Sequence, residues 1–215
     1  MAKHVSIFVP EGTATIAVAG PMDVLNEAGK YLMHKDPAIS APFFKVELIS
    51  LDKKQVRCLS DYEVQCHKSI REIDSTDLIL VPNLPGNFEE QILKNQAFFD
   101  WMKIQYNRGT DIGAFCTGTF LLAATGLLNG KKATTHWMAV EPFKKLFPHV
   151  ELLSDKIITD EGQLVCAGGS TSFFNLVLYL IERYCGHEVA LFMSKSMLID
   201  LTNTSASLPA TGSWP

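Results

Sequence analysis

Asp111-Ile-Gly-Ala-Phe-Cys116-Thr-Gly-Thr-Phe-Leu-Leu-Ala-Ala-Thr-Gly126 is the stretch on which the fold turns. An apolar run of strand length ends at Cys116, and a helical pattern starts directly after it. A side chain at such a corner points out of the sheet, toward the free N–H groups of the helix. Those donors and the helix dipole favour thiolate over thiol, so this placement predicts a lowered pKa for Cys116. Gly113, Ala114 and Gly118 are small enough for a sharp turn and for close approach of helix and strand. The logic is that of a nucleophile elbow, with cysteine in place of serine. The competing reading is inert packing, because free cysteine is among the most buried residue types.

Working outward, the next informative stretch is Leu127-Leu-Asn-Gly-Lys-Lys-Ala-Thr-Thr-His136-Trp137. Asn129-Gly130 is a tight-turn signal. Lys131 to Thr135 then reads as a short strand that delivers His136 at its end. A histidine there could hold the thiol as a thiolate–imidazolium pair. Taken alone, His136 reads as a hydrogen-bonded structural residue. Cysteine at an elbow followed by turn, strand and histidine is more specific.

The segment Gly113 to Trp137 resembles the ThiJ/PfpI superfamily, the class I glutamine amidotransferase-like proteins. More closely, it is similar to the amidotransferase-like N-terminal domain of AraC-type transcriptional regulators. The strand His4-Val-Ser-Ile-Phe-Val9, followed by Gly20-Pro-Met-Asp-Val-Leu25, fits the same family. So does Cys166-Ala-Gly-Gly-Ser-Thr-Ser172 leading into a long helix. The resemblance covers about residues 3 to 200. It implies a flavodoxin-like three-layer α/β sandwich, with a mainly parallel central sheet and helices on both faces.

The residue pattern supports that architecture independently. Val5 to Val9 and Leu78 to Val81 read as buried strands, and Phe44 to Ser50 and Tyr62 to Cys66 as half-buried ones. Helices are expected from Thr13 to Lys35 with a kink or break at Pro21, and from Glu89 to Arg108. A hairpin is expected over Lys156 to Cys166. A helix capped by Ser170, Thr171 or Ser172 and ending at Gly186 should follow, then a last one from His187 to Leu201. Strands alternating with helices imply a parallel sheet whose ligand crevice lies at the strand carboxyl ends. Cys116, the Pro82 to Gly86 turn and the Glu11 turn all fall there. Glu11, Asn83, Gly86, Cys116, Thr117 and His136 are therefore the candidate ligand contacts, with Cys116 and His136 the candidate catalytic pair.

Two departures from the family pattern bear on chemistry. Many of its enzymes carry an acid on the first helix, four positions before the Gly-Pro proline, and that position here is Ala17. Glu11 could substitute, while Asp23 reads equally as a solvated or capping carboxylate. Related enzymes also carry a Gly-Gly pair after the third strand, whose N–H groups stabilise developing charge. Here Pro82-Asn83-Leu84-Pro85-Gly86 contains two prolines that cannot donate, although Asn83, Leu84 and Gly86 can. Gly86 also reads simply as a turn residue.

The chain has 215 residues, 47% hydrophobic and 20% charged, with net charge −4. That is ample for a large core and carries no electrostatic footprint for nucleic acid. No apolar run approaches ~20 residues, and no signal-peptide pattern opens the chain. The five cysteines (58, 66, 116, 166 and 185) are odd in number and lack zinc-type pairing, which suits a reducing cytoplasm. No metal site and no cofactor are expected. Residues 1–201 are read as one domain. Residues 202–215 read as a linker or frayed tail, leading to a helix-turn-helix domain beyond Pro215.

Three functions compete on these residues. One is a ligand-sensing, homodimeric domain of a regulator, which meets a small-molecule effector and reaches DNA only through the further domain. A second is a standalone hydratase, glyoxalase, deglycase or amidase-like enzyme using Cys116. The third is a cysteine-based redox sensor. Ala17 favours the first.

Overall fold

The computed structural model describes residues 2–52 and 55–201, so the expected linker at 202–215 lies outside the described residues. In chain order the strands are β1 (Lys3–Phe8), β2 (Phe44–Ser50), β3 (Gln55–Arg57), β4 (Glu63–Gln65), β5 (Lys68–Ser69) and β6 (Leu78–Val81). They continue as β7 (Asp111–Phe115), β8 (Lys132–Ala133), β9 (Glu151–Leu152), β10 (Ile158–Glu161) and β11 (Leu164–Ala167). The helices are α1 (Ile16–Lys35), α2 (Phe88–Lys94), α3 (Gln96–Asn107) and α4 (Thr119–Ala124). α5 (Val140–Leu146), α6 (Phe173–Cys185) and α7 (His187–Met197) complete the set.

Seven strands form the main sheet in the order β10-β11-β7-β6-β1-β2-β5. All pairings in it are parallel except β10 with β11. Strand side chains alternate between faces, and each face has its own apolar layer. Val5, Ile7, Leu78, Leu80 and Phe115 pack with α1, α6 and α7. Phe8, Ile79, Val81, Ile112 and Ala114 pack on the opposite face, with α3, α4 and α5. Burial on both sides explains why these strands read as continuous apolar runs. The expected three-layer α/β architecture is present.

Several boundaries differ from the sequence expectations. Phe44 to Ser50 is more than half-buried: β2 lies between β1 and β5, and its last four residues are buried. The helix expected over 89–108 is broken at Asn95, whose side chain turns back to the Gln91 carbonyl (2.8 Å). Asn87 caps the first half by accepting from the Glu89 and Glu90 N–H groups. Pro21 does not end α1, which runs through it with the ring buried. The strand expected at 131–135 shortens to two residues paired with β9, outside the main sheet. Ser172 precedes α6, but its hydroxyl donates to the Gly169 carbonyl (2.7 Å) and does not cap the helix.

A polar cluster ties the amino ends of the strands. Glu47 on β2 is only 8% exposed. One of its carboxylate oxygens lies 2.9 Å from His4 Nε2 and 3.0 Å from Lys68 Nζ, and the other 3.2 Å from Lys45 Nζ. The other ring nitrogen of His4 lies 2.9 Å from the Thr76 hydroxyl. Burial alone would raise the Glu47 carboxyl. The His4, Lys68 and Lys45 contacts override that and hold it near 2, against an ordinary 4.5. A depressed folded-state pKa gives stability that is present above the unfolded value and lost as pH falls through the folded one. Glu47→Gln should therefore cost about 2 kcal/mol near neutral pH. In urea titrations the gap from wild type should close as pH drops from 4.5 toward 2.

Candidate functional site

β7 carries the chain to the carboxyl edge of the sheet, where Cys116 adopts φ 56. Left-handed backbone costs a side-chain-bearing residue about 1–2 kcal/mol, so its surroundings must hold it there. The Cys116 carbonyl accepts from the Thr135 hydroxyl (2.9 Å) and the Thr119 hydroxyl (3.3 Å). Thr117 is clamped to the loop after β6. The Leu84 N–H donates to its hydroxyl oxygen (2.8 Å), and that hydroxyl donates to the Leu84 carbonyl (3.0 Å). Gly118 lies against the end of β6, where a Cβ would stand 2.3 Å from the Val81 oxygen and 2.4 Å from that of Pro82. The elbow geometry expected from the sequence is present.

Its electrostatics are the reverse of the expectation. Cys116 is 6% exposed. Burial is the largest influence and pushes its thiol up, against the Thr117 N–H and the Thr117 and Ser170 hydroxyls that contact the sulfur. The chain leaves the cysteine as a 3₁₀ turn, Cys116–Gly118, before the six residues of α4. Such a short element musters little dipole to offset desolvation.

His136 does not correct this. Its Nδ1 accepts the Met138 N–H (3.3 Å), capping the turn that follows. Burial pushes its pKa down. A thiolate–imidazolium pair would shift both groups the other way. Among the described residues, no hydrogen bond joins Cys116 to His136; the sulfur's partners are Thr117 and Ser170. Ala17, at the position where related enzymes carry an acid, is 2% exposed and sits in the apolar layer with Phe115 and Phe173.

Ser170 was read from sequence only as a possible cap. Its place at the thiol follows from the two glycines before it. A Cβ on Gly168 would stand 2.9 Å from both Thr134 Oγ1 and the Thr135 carbonyl, and Gly169 takes φ 95. Only glycine allows the loop after β11 to lie this close to the Thr134–Thr135 segment. A Gly-Gly-Ser run directly after a buried strand was the available signal.

The remaining candidates divide among three places. Asn83 accepts from the Thr13 hydroxyl at its carbonyl (2.9 Å) and side-chain oxygen (3.1 Å), and from the Ala14 N–H (3.2 Å). It thereby joins the loop after β1 to the loop after β6. Gly86 has φ 69 and borders an open groove with Phe88, Glu141 and Lys145. Glu11 lines a separate cavity of about 330 Å³ over the carboxyl ends of β1 and β2. Its other walls are Ser50, Asp52, Gln91, Lys94 and Asn95, with Phe8 and Val56 as apolar surface. Among the described residues, neither Cys116 nor His136 lines it. The single crevice expected from sequence is thus several compartments.

The DJ-1/PfpI family pattern matches residues 3–183. The chain is 26% identical over 159 residues to the HTH-type transcriptional regulator CdhR of Pseudomonas aeruginosa, covering 74% of this chain and 46% of that protein. It is 25% identical over 192 residues to the isonitrile hydratase of Pseudomonas putida, covering 88% and 75% respectively. The solved structure of Drosophila melanogaster DJ-1beta superposes with a TM-score of 0.77 at 22% identity, covering 93% of this chain and all of that one. The chain thus spans about half the length of CdhR and three quarters of the hydratase.

A raised thiol pKa has a direct readout. Iodoacetamide labelling of Cys116, followed by mass spectrometry, should be slow at neutral pH and still climbing above pH 9, its ordinary value. Cys166, fully enclosed and pushed up to about 12, should label more slowly still. Ser170→Ala should move the Cys116 profile further upward. A plateau by neutral pH would mean that the thiolate is stabilised after all.

Proposed function

The chain belongs to the DJ-1/PfpI family, and from that premise we propose that it is the ligand-sensing, dimer-forming domain of an AraC-type transcriptional regulator without efficient catalysis of its own. The observation that carries this reading is the electrical state of the elbow. The thiol is raised, the imidazole is lowered and the acid position is Ala17. Nucleophilic catalysis needs a thiolate and a proton donor matched to the working pH. This arrangement favours two neutral groups instead.

The regulator relative supports the reading, since the family-like part accounts for less than half of CdhR. In the proposed protein DNA contact belongs to a separate helix-turn-helix domain, as the net charge of −4 on this segment suggests. A two-fold dimer matches the two half-sites that such a domain reads. No described helix is long and apolar enough to cross a membrane, and a cytoplasmic site of action follows from contact with DNA.

A second reading rests on a specific observation: the strained elbow at Cys116 is intact and a hydratase relative covers most of the chain. The two are separated by turnover. Assays for hydratase, glyoxalase and amidase activity should give no rate above that of Cys116→Ser. Robust turnover abolished by that substitution would overturn the sensor reading.

Binding and assembly give a further check. Light scattering should show a dimer at tens of micromolar, roughly the range in which a ~10 μM dissociation constant registers. Gel shifts with the 215-residue chain on its own promoter should show only weak binding that salt abolishes.

A further inference from the structure

We propose that residues 198–201 form a strap hinged at Leu198, and that a chain of bonds from the Cys116 corner to the bed of this strap lets a change at the thiol open it. The hinge and the route stand on their own geometry. Only the use of that motion to signal along the chain rests on the sensor reading.

Leu198 follows α7 with φ 54 and ψ 40, its N–H turned back to the Ser194 and Lys195 carbonyls. Glycine is the usual residue at such a helix end, because a Cβ is penalised in left-handed backbone. Among the described residues, Asp61 and Cys116 are the other non-glycines of this kind. Cys116 is buried and its carbonyl is bonded in place. The Leu198 side chain is 93% exposed, so packing does not hold it there.

Beyond the hinge the chain doubles back over α6. The Ile199 N–H donates to the Ser194 carbonyl (3.0 Å), and the Ser194 hydroxyl donates to the Ile199 carbonyl (2.6 Å). The Asn175 side-chain amide donates to the Asp200 carbonyl (3.3 Å). Ile199 and Leu201 lie half-buried against the first apolar layer. A cavity of about 180 Å³ remains between Leu201, Leu178 and Tyr179 of α6, and Ile158 of β10. A segment held by a few local bonds beside a void, on a strained hinge, belongs to the low-stability end of a fold.

The bed of the strap is tied to the elbow. The Thr135 hydroxyl donates to the Cys116 carbonyl, and the hydroxyl of its neighbour Thr134 donates to the Lys156 carbonyl (2.9 Å each). Two residues on, Ile158 opens β10 and lines the cavity. The Gly168 N–H donates to the Ile157 carbonyl (2.9 Å), and a Cβ on Gly168 would stand 2.9 Å from Thr134 Oγ1. The loop that carries Ser170 to the sulfur therefore meets the same junction. Because the sulfur is enclosed, a larger group on it must displace the corner. The displacement reaches Ile158 through Thr135, Thr134 and Lys156, and withdraws support from Leu201.

The test is amide hydrogen exchange at Ile199 in the 215-residue chain, since that N–H is bonded when the strap is closed. Leu198→Gly should relieve the hinge and slow the exchange by roughly tenfold. Ser194→Ala should speed it. Carbamidomethylation of Cys116 by iodoacetamide in alkaline solution, on a Cys185→Ser background and confirmed by mass spectrometry, enlarges the thiol; Cys116→Met is the second way to do so. Either should speed Ile199 exchange roughly threefold or more near neutral pH. Thr134→Val should abolish that response while the effect of Leu198→Gly survives, which shows that the strap is still folded.

Exchange of Ile199 as slow as that of Val177 and Leu178 in buried α6 would mean that there is no separate strap. An unchanged or faster rate in Leu198→Gly would mean that the hinge is not strained. No response to the enlarged Cys116, or a response that persists in Thr134→Val, would remove the route. Each of these would overturn the proposal. A strap that responds as expected while promoter occupancy of the whole regulator stays constant would instead overturn the sensor reading and leave the hinge standing.

Discussion

The left-handed backbone at Cys116 is the constraint around which the carboxyl edge of the sheet is arranged. A cysteine does not rest there unaided; its own turn and two segments distant in sequence, 81–84 and Thr135, secure it. Thr119 and Thr135 hold its carbonyl, Thr117 is bonded in both directions to Leu84, and Gly118 lies under the carbonyls that end β6. Strain of this kind persists only where the surroundings over-determine it. The bonds that hold the corner also close it to water, so the feature that makes it look like a nucleophile's seat weakens it as one. Each donor facing the sulfur lowers the thiol pKa slightly, and burial outweighs their sum.

Much of the architecture was legible in the sequence because it depends on local pattern. The apolar runs at Val5 to Val9 and Leu78 to Val81 mark strands covered on both faces, and the Cys116 segment marks the turn. Asn95 was harder to read. Its side chain competes for a backbone carbonyl and divides a helix whose periodicity continues across the break. Pro21 is the opposite case, a breaker tolerated inside α1 because tertiary packing holds the helix on both sides of it. Ser172 shows a third limit: composition offers a capping hydroxyl, but the nearby Gly169 carbonyl takes it.

The site was legible as a set of residues and not as a set of relations. Cys116, Thr117 and the strand-end loops lie near the carboxyl edge, as strand ends must. Which of them meet is decided by side-chain direction and by glycine contacts several elements away. His136 stands next to Thr135, which grips the Cys116 carbonyl, yet its own ring serves the following turn. The sign of the thiol's shift depends on how many atoms surround it, a three-dimensional quantity that a helix-start motif does not encode.

Asn83 carries a consequence of a different kind. Its backbone and side-chain oxygens both accept from the β1 loop, while the next residue, Leu84, is bonded to Thr117. The wall between the Glu11 cavity and the sulfur is therefore tied to three strand tips, and every tie runs through a side-chain oxygen of Thr13, Asn83 or Thr117. The mouth of β1 and the corner after β7 meet the loop after β6 at adjacent residues, so the two compartments share one wall.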